Sequence, residues 1–306
     1  MPTPQDLRTS APLTGFSIRY SNSEYIADLA FPARTDITKD EGTIRTYGKD
    51  NLRTNDAAGP LAAETPAPRV TWNPGSDVAY KLGRYGLTDM VPQQLVDNAD
   101  EVFDPKMDAV ENLTDRLLVL REKSAADVAF TAGNWASTVT LTGTDQWSDD
   151  TSGPIDHIET ALDAIVGDAT HIILGQEVWS EVRHHPDVLE RYQYTTGGGV
   201  NKAQFAAIFD LPADAILIGK ARHVSSEDPT ETVARLWGKH VLVARILPAP
   251  GKRTMTAMAT LQRRLPREVS EWPNHNPKGV NVLVEDYFQH KVVASDLGYL
   301  IVDAVA

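Results

Sequence analysis

The strongest constraint on this chain is one long amphipathic helix that follows about a hundred residues with no convincing core. Asp104 is a good N-cap and Pro105 suits the first helical position. Apolar residues then recur at helical spacing at Met107, Val110, Leu113, Leu117 and Leu118. A helix running to Phe130 has about 26 residues and a length of about 39 Å at 1.5 Å per residue. Met107, Val110, Leu113 and Leu117 are its predicted core face. A stiff rod fed by a long extended segment predicts a subunit shaped to meet neighbours, not to enclose a substrate.

The segment in front of the helix is mostly polar, with an apolar patch from Tyr25 to Phe31. Extended pieces are predicted at Thr43–Tyr47 and Arg69–Trp72, and Val78, Tyr80 and Leu82 alternate with Ala79, Lys81 and Gly83. Pro60, Pro66 and Pro68 forbid a regular helix between them. A two-stranded ribbon is marginal in water and needs an outside surface to lie on. Trp72, Tyr80, Leu82 and Arg84 are therefore the candidates for contact between subunits.

Behind the helix, Ser137–Thr142 alternates as a strand. Pro154 opens a helix with Ile155, Ile158, Leu162 and Ile165 on one face, closed by Gly167. Short buried strands are predicted at His171–Leu174 and Ala215–Ile218. Between them lie a helix carrying Val178, Trp179 and Val182 and a capping box at Asn201 and Gln204. The alternation over 151–222 reads as a compact α/β unit. From 236 onward the chain is strand-rich, with pieces at Val241–Ala244, Met255–Leu261, Val280–Val284, Lys291–Ala294 and Tyr299–Val302.

The chemistry-bearing patterns fail in turn. With no cysteine, disulfides, thiolate zinc sites and cysteine nucleophiles are absent. Gly197–Gly199 lacks the lysine and hydroxyl residue of a phosphate loop and reads as a turn. His184 and His185 are adjacent, so on a helix they point about 100° apart and chelate poorly; a helix-end role near Pro186 fits better. Asp145, Asp149 and Asp150 read as a solvated acidic turn. The formal net charge is 29 − 42 = −13, against nonspecific attraction to phosphate backbone. No apolar run approaches the ~18 residues of a membrane span, and Met1 to Asp6 does not open a signal peptide. No catalytic residue, cofactor or metal is expected.

The order of these parts resembles the major capsid proteins of tailed bacteriophages with the Hong Kong 97-type fold. Local wording agrees at Tyr25 to Pro32, Val91-Pro92, Asn98 to Asp100, Asn134-Trp135, Gln146 to Ser148, Ile173 to Gly175 with Val178-Trp179, and His185-Pro186. The resemblance implies an α+β fold. It divides the chain into an N-terminal arm (1–40), an extended two-stranded loop (41–90) and a peripheral domain with the spine helix (91–152). An axial α/β domain (153–249) and a return to peripheral-domain strands (250–306) would follow.

The implied function is structural: hexamers and pentamers of this subunit forming an icosahedral head shell around double-stranded DNA, without sequence-specific binding and with no membrane partner. Scaffolding, portal and decoration proteins are the further partners implied, and the virion, assembled in the host cytoplasm, is the implied location. An encapsulin-type compartment is the alternative within the fold. A carboxylate-dependent hydrolase and a phage tail or adaptor protein are the rivals outside it. The front third is expected to gain its order by lying on sister copies.

Overall fold

A computed structural model of the chain describes residues 8–20, 22, 24–34, 37–45, 61, 66–67, 77–99, 104–192, 199–224, 233–250 and 254–306. Its first half contains β1 (Arg8–Thr9), α1 (Ala11–Arg19), α2 (Ala27–Ala30), β2 (Ala33–Arg34), β3 (Glu41–Arg45), β4 (Asp77–Lys81), β5 (Gly83–Pro92), α3 (Gln93–Asp97), α4 (Pro105–Ala129) and β6 (Ser137–Thr140). Then come α5 (Pro154–Ala164), β7 (His171–Gly175), α6 (Gln176–Val182), α7 (Pro186–Glu190), α8 (Lys202–Ile208), β8 (Ile216–Gly219), β9 (Arg222–Val224), β10 (Val233–Arg235) and β11 (Val241–Ala244). The long strands β12 (Met258–His275) and β13 (Lys278–Val292) and the short β14 (Gly298–Val302) complete the chain.

The helix α4 starts as its sequence dictates: the Asp104 side chain accepts from the Lys106 N–H, and Pro105 occupies the first turn. Its first half packs on a sheet ordered β1-β12-β13-β5, with β2 parallel to β12. Val110, Leu113 and Leu117 are buried there with Leu13, Val91, Val269, Val282 and Val284. Met107 departs from the expected core face, being 36% exposed. At 100° per residue Met107 lies about 120° round the helix from Leu113, at the margin of the buried stripe, so it meets solvent. Truncating Leu117 to alanine is expected to cost about 3 kcal/mol in urea unfolding, because a 3%-exposed side chain leaves a cavity behind.

The second half of α4 leaves that sheet and serves another. Ala125, Ala126 and Ala129 pack with Ile173, Leu242, Ala257 and Leu300. These small residues let the helix approach a sheet ordered β6-β14-β11-β7-β8. On its other face lie α5, α6, α7 and α8, burying Ile155, Ile158, Val178, Trp179, Val188 and Phe205. Trp179 is core, as its helical spacing predicts.

Two expected boundaries change. Gly298–Val302 does not close the peripheral sheet; it runs between β11 and β6 in the α/β sheet, antiparallel to the first and parallel to the second. Ser137–Thr140 likewise belongs to that sheet, not to the unit expected over 91–152. The tail's run Gly298–Val302 is apolar enough to be buried on both faces, and the α/β sheet is where such a strand is covered. The hairpin of β12 and β13 is far longer than the sequence suggests. Pro266 lies inside β12, where the register shifts between Gln262 and Arg267 and the missing N–H is accommodated.

The front of the chain also differs from expectation. The described residues 8–34 fold back on their own subunit. β1 pairs with Glu271 and Ser270 of β12, and α1 lies on β12 and α4 with Leu13 buried. The apolar patch supplies Ile26, Ala27, Ala30 and Phe31 to the core between α4 and the α/β sheet. Burial of those four side chains offers more than any exposed arm position would, so this part needs no neighbour to become ordered.

Candidate assembly surfaces

Where α4 passes from one sheet to the other, it carries two adjacent buried charges, Arg121 and Glu122. Glu122 holds the front segment by its backbone: Oε1 accepts from the Ile26 N–H at 2.9 Å and Oε2 from the Ala27 N–H at 2.8 Å. Trp237 Nε1 donates to Oε1 at 2.6 Å. Those two N–H groups open α2 and have no partner inside their own helix. Burial pushes the Glu122 pKa above the ordinary glutamate range, against the opposing pull of these donors.

Arg121 faces the other way. Its Nε and Nη2 donate to Asp28 Oδ1 at 3.0 and 2.7 Å, Nη2 also to Gln262 Oε1 at 3.0 Å, and Nη1 to Asp286 Oδ2 at 3.3 Å. The guanidinium lies 4.9 Å from the centre of the Phe288 ring. Burial raises the Asp286 pKa although Arg121 and Arg267 both pull it down. Beside them, His290 is wedged against the Phe31 and Phe288 rings. Its Nδ1 is 2.8 Å from Thr260 Oγ1, whose hydroxyl donates to the Phe31 carbonyl at 2.9 Å. With that hydroxyl hydrogen already donated, the His290 Nδ1 carries a proton and donates to Oγ1. Burial, helped by the Arg121 charge, lowers its pKa to about 3.

The sequence-stated contact residues separate. Leu82 is buried in its own chain with Ile37, Ile44 and Leu261, at the foot of the β3–β4 ribbon. That is a correction: a 7%-exposed leucine offers nothing to a neighbour. Tyr80 is half-buried against this cluster and its hydroxyl donates to the Lys39 carbonyl at 3.3 Å. Arg84 is exposed and paired with Glu285, its Nε donating at 2.9 Å. Trp72 lies outside the described residues. Arg263 clamps the ribbon foot through both Asp40 oxygens, at 2.8 and 2.6 Å, and lies 4.1 Å from the Tyr287 ring centre.

The apparent catalytic candidates have structural duties. His185 caps α7, accepting from the Asp187 N–H at 3.2 Å, and its Nε2 meets Ser152 Oγ and the Asp149 carbonyl. Asp149 accepts from the N–H and hydroxyl of Thr151, closing a turn, and the hydroxyl bond lowers its pKa. Among the described residues no group of three metal-ligating side chains comes together, and no described helix is long and apolar enough to cross a membrane.

What the molecule does present is surface. Leu29, Leu87, Leu95, Leu120, Val224 and Val233 are exposed large apolar side chains. Sequence reasoning missed the β9–β10 hairpin that bears two of these, because a three-residue strand leaves almost no periodic signal. Two hollows flank this hairpin, of ≈ 450 and ≈ 620 Å³, and both are rimmed by cations.

Kinship agrees with a subunit that is mostly surface. The major capsid protein of Pseudomonas phage JBD67 is 28% identical over 303 residues, covering 96% of each chain. That of Burkholderia phage BcepMu is 24% identical over 308 residues, covering 94% of each. The solved structure of a phage-related protein from Bordetella bronchiseptica RB50 superposes with a TM-score of 0.79 at 22% identity, covering 97% of both chains. The two-sheet architecture joined by α4 is the Hong Kong 97-type fold. Residues 132–287, half of the chain and spanning both sheets, match the family described as phage major capsid protein E, and the chain belongs to that family.

Proposed function

We propose that this subunit builds the head shell of a tailed phage as hexamers and pentamers closed into an icosahedron around double-stranded DNA. The observation that carries the reading is the kinship with phage major capsid proteins over 94–96% of the chain. Kinship with structural proteins sets aside the carboxylate-dependent hydrolase. An encapsulin-type compartment shares the fold, so relatives and not architecture decide against it. Head-to-tail contacts that close give rings, and rings that meet give a shell. Each contact is then sufficient at modest affinity, because every copy touches many others. The acidic balance suits a wall that does not trap packaged DNA. Assembly in the host cytoplasm, with scaffolding, portal and decoration proteins as partners, completes the reading.

The ribbon is the proposed reach between copies, and Tyr80 in β4, Arg84 in β5 and Trp72, outside the described residues, are the proposed contact residues. Residues 46–76 join its two strands. Deleting 55–68 is expected to leave a soluble monomer with wild-type unfolding and to abolish closed particles in negative-stain micrographs. Normal shells from the truncated protein would remove the ribbon from the contact set. Tubes or lone rings from the intact protein would point to a tail or adaptor role instead.

A further inference from the structure

The ≈ 450 Å³ hollow lies between the exposed face of α4 and the β9–β10 hairpin. Its floor is apolar: Val119, Leu120, Val224 and Val233, the last two 54% and 63% exposed. Arg116, Lys123 and Arg222 stand around it. Among the described residues none of the three forms an ion pair; Arg116 Nε reaches only the Asn112 side chain, at 3.2 Å. Through Arg222 the hollow adjoins the larger one, where Lys220 adds a further cation, while Arg235 is paired with Glu177 at 3.8 Å and Glu24 also lines the wall. Cations without an ion pair among the described residues, set around an exposed apolar floor in a chain of net charge −13, are the complement of an acidic surface with an apolar centre.

The same helix carries such a surface. Asp104, Asp108 and Glu111 are exposed around Met107, itself 36% exposed, and neither Asp108 nor Glu111 pairs with a described cation. Asp104 to Glu111 is seven steps along the helix, as is Arg116 to Lys123, so both patches are about 10 Å long. The other acidic helix face, Asp156, Glu159 and Asp163 on α5, has no large apolar side chain exposed beside it.

We propose that the acidic first half of α4 in one copy of this chain seats over the cationic hollow of a second copy. The contact is heterologous, so the same pairing can repeat from copy to copy. The two patches start twelve residues apart, a rotation of about 120° at 3.6 residues per turn, so they face different sides of α4 and meet different neighbours. This rests on the shell reading and names one contact within it.

Two folded double variants test it, with circular dichroism to confirm the fold: Arg116→Glu with Lys123→Glu, and Asp108→Lys with Glu111→Lys. Each alone is expected to lower the oligomer and particle fractions at least about tenfold, since like charges brought together at an interface cost several kcal/mol. An equimolar mixture restores both, because one variant is acidic and the other basic at both patches. Either variant assembling like the wild type, or a mixture of folded variants that stays unassembled, would overturn the proposal. Sedimentation velocity reads the pair even where no shell closes. A salt-sensitive wild-type oligomer lost in both variants supports it, and a wild type that stays monomeric at every concentration refutes it. Shells that form normally from both variants would refute the pairing and leave the shell function standing.

Discussion

Glu122→Ala is expected to be the most damaging single substitution in the described core. It leaves the Ile26 and Ala27 N–H groups and the Trp237 indole N–H buried without their acceptor. An orphaned buried donor costs about 1–3 kcal/mol. Three together give about 5 kcal/mol after partial relaxation and water entry, a large share of a typical stability of about 5–15 kcal/mol. Glu122→Gln keeps one acceptor oxygen but turns an NH2 group toward a donor, and is expected to fall between alanine and wild type. Urea unfolding gives the ranking, and amide exchange at Ile26 and Ala27 shows where the loss is local. Wild-type stability with alanine at 122 would mean that the front segment is held by its apolar side chains alone.

Acidification should expose His290 through a second large effect. Its folded pKa of about 3 lies below the 6.5 of an exposed histidine, so the folded form binds fewer protons between those values. Stability contributed by the neutral ring is present above about pH 6.5 and is lost as pH falls toward 3, reaching at most about 5 kcal/mol at 1.36 kcal/mol per unit. Glu122 and Asp286 act in the opposite sense. Their raised pKa values give stability that is present at low pH and lost as pH rises through them. Subtracting the His290→Gln curve from the wild-type curve isolates the histidine. The wild type is expected to lose more stability than the variant on going from pH 7 to pH 3. Parallel curves would show that the imidazole is protonated in the native state.

Elements with a strong local period or a cap were legible from sequence. Asp104 and Pro105 fixed the start of α4, Asn201 and Gln204 make the reciprocal cap of α8, and Val241–Ala244 is the strand expected there. Elements decided by distant partners were not. α1 contains Gly15 and a mixed polar face, and its position is set by β12 and α4, whose side chains lie far along the chain. The length of β12 was hidden by Pro266 and Pro273, which only the pairing with β13 accommodates. Arg121 and Glu122 read as ordinary surface charges of a helix. Their burial follows from α4 bridging two sheets, which no window of one helix reveals. Leu82 alternated as a contact residue should, yet Leu261, nearly two hundred residues away in sequence, takes that surface first.

A single rod of 25 residues seated on both sheets has a mechanical consequence. Tilting one sheet against the other would bend the rod and stretch its hydrogen-bond ladder, so the two halves turn as one lever. In the proposed shell, copies at five-fold and six-fold positions of a curved wall would then differ mainly at their seams, and little in their girders.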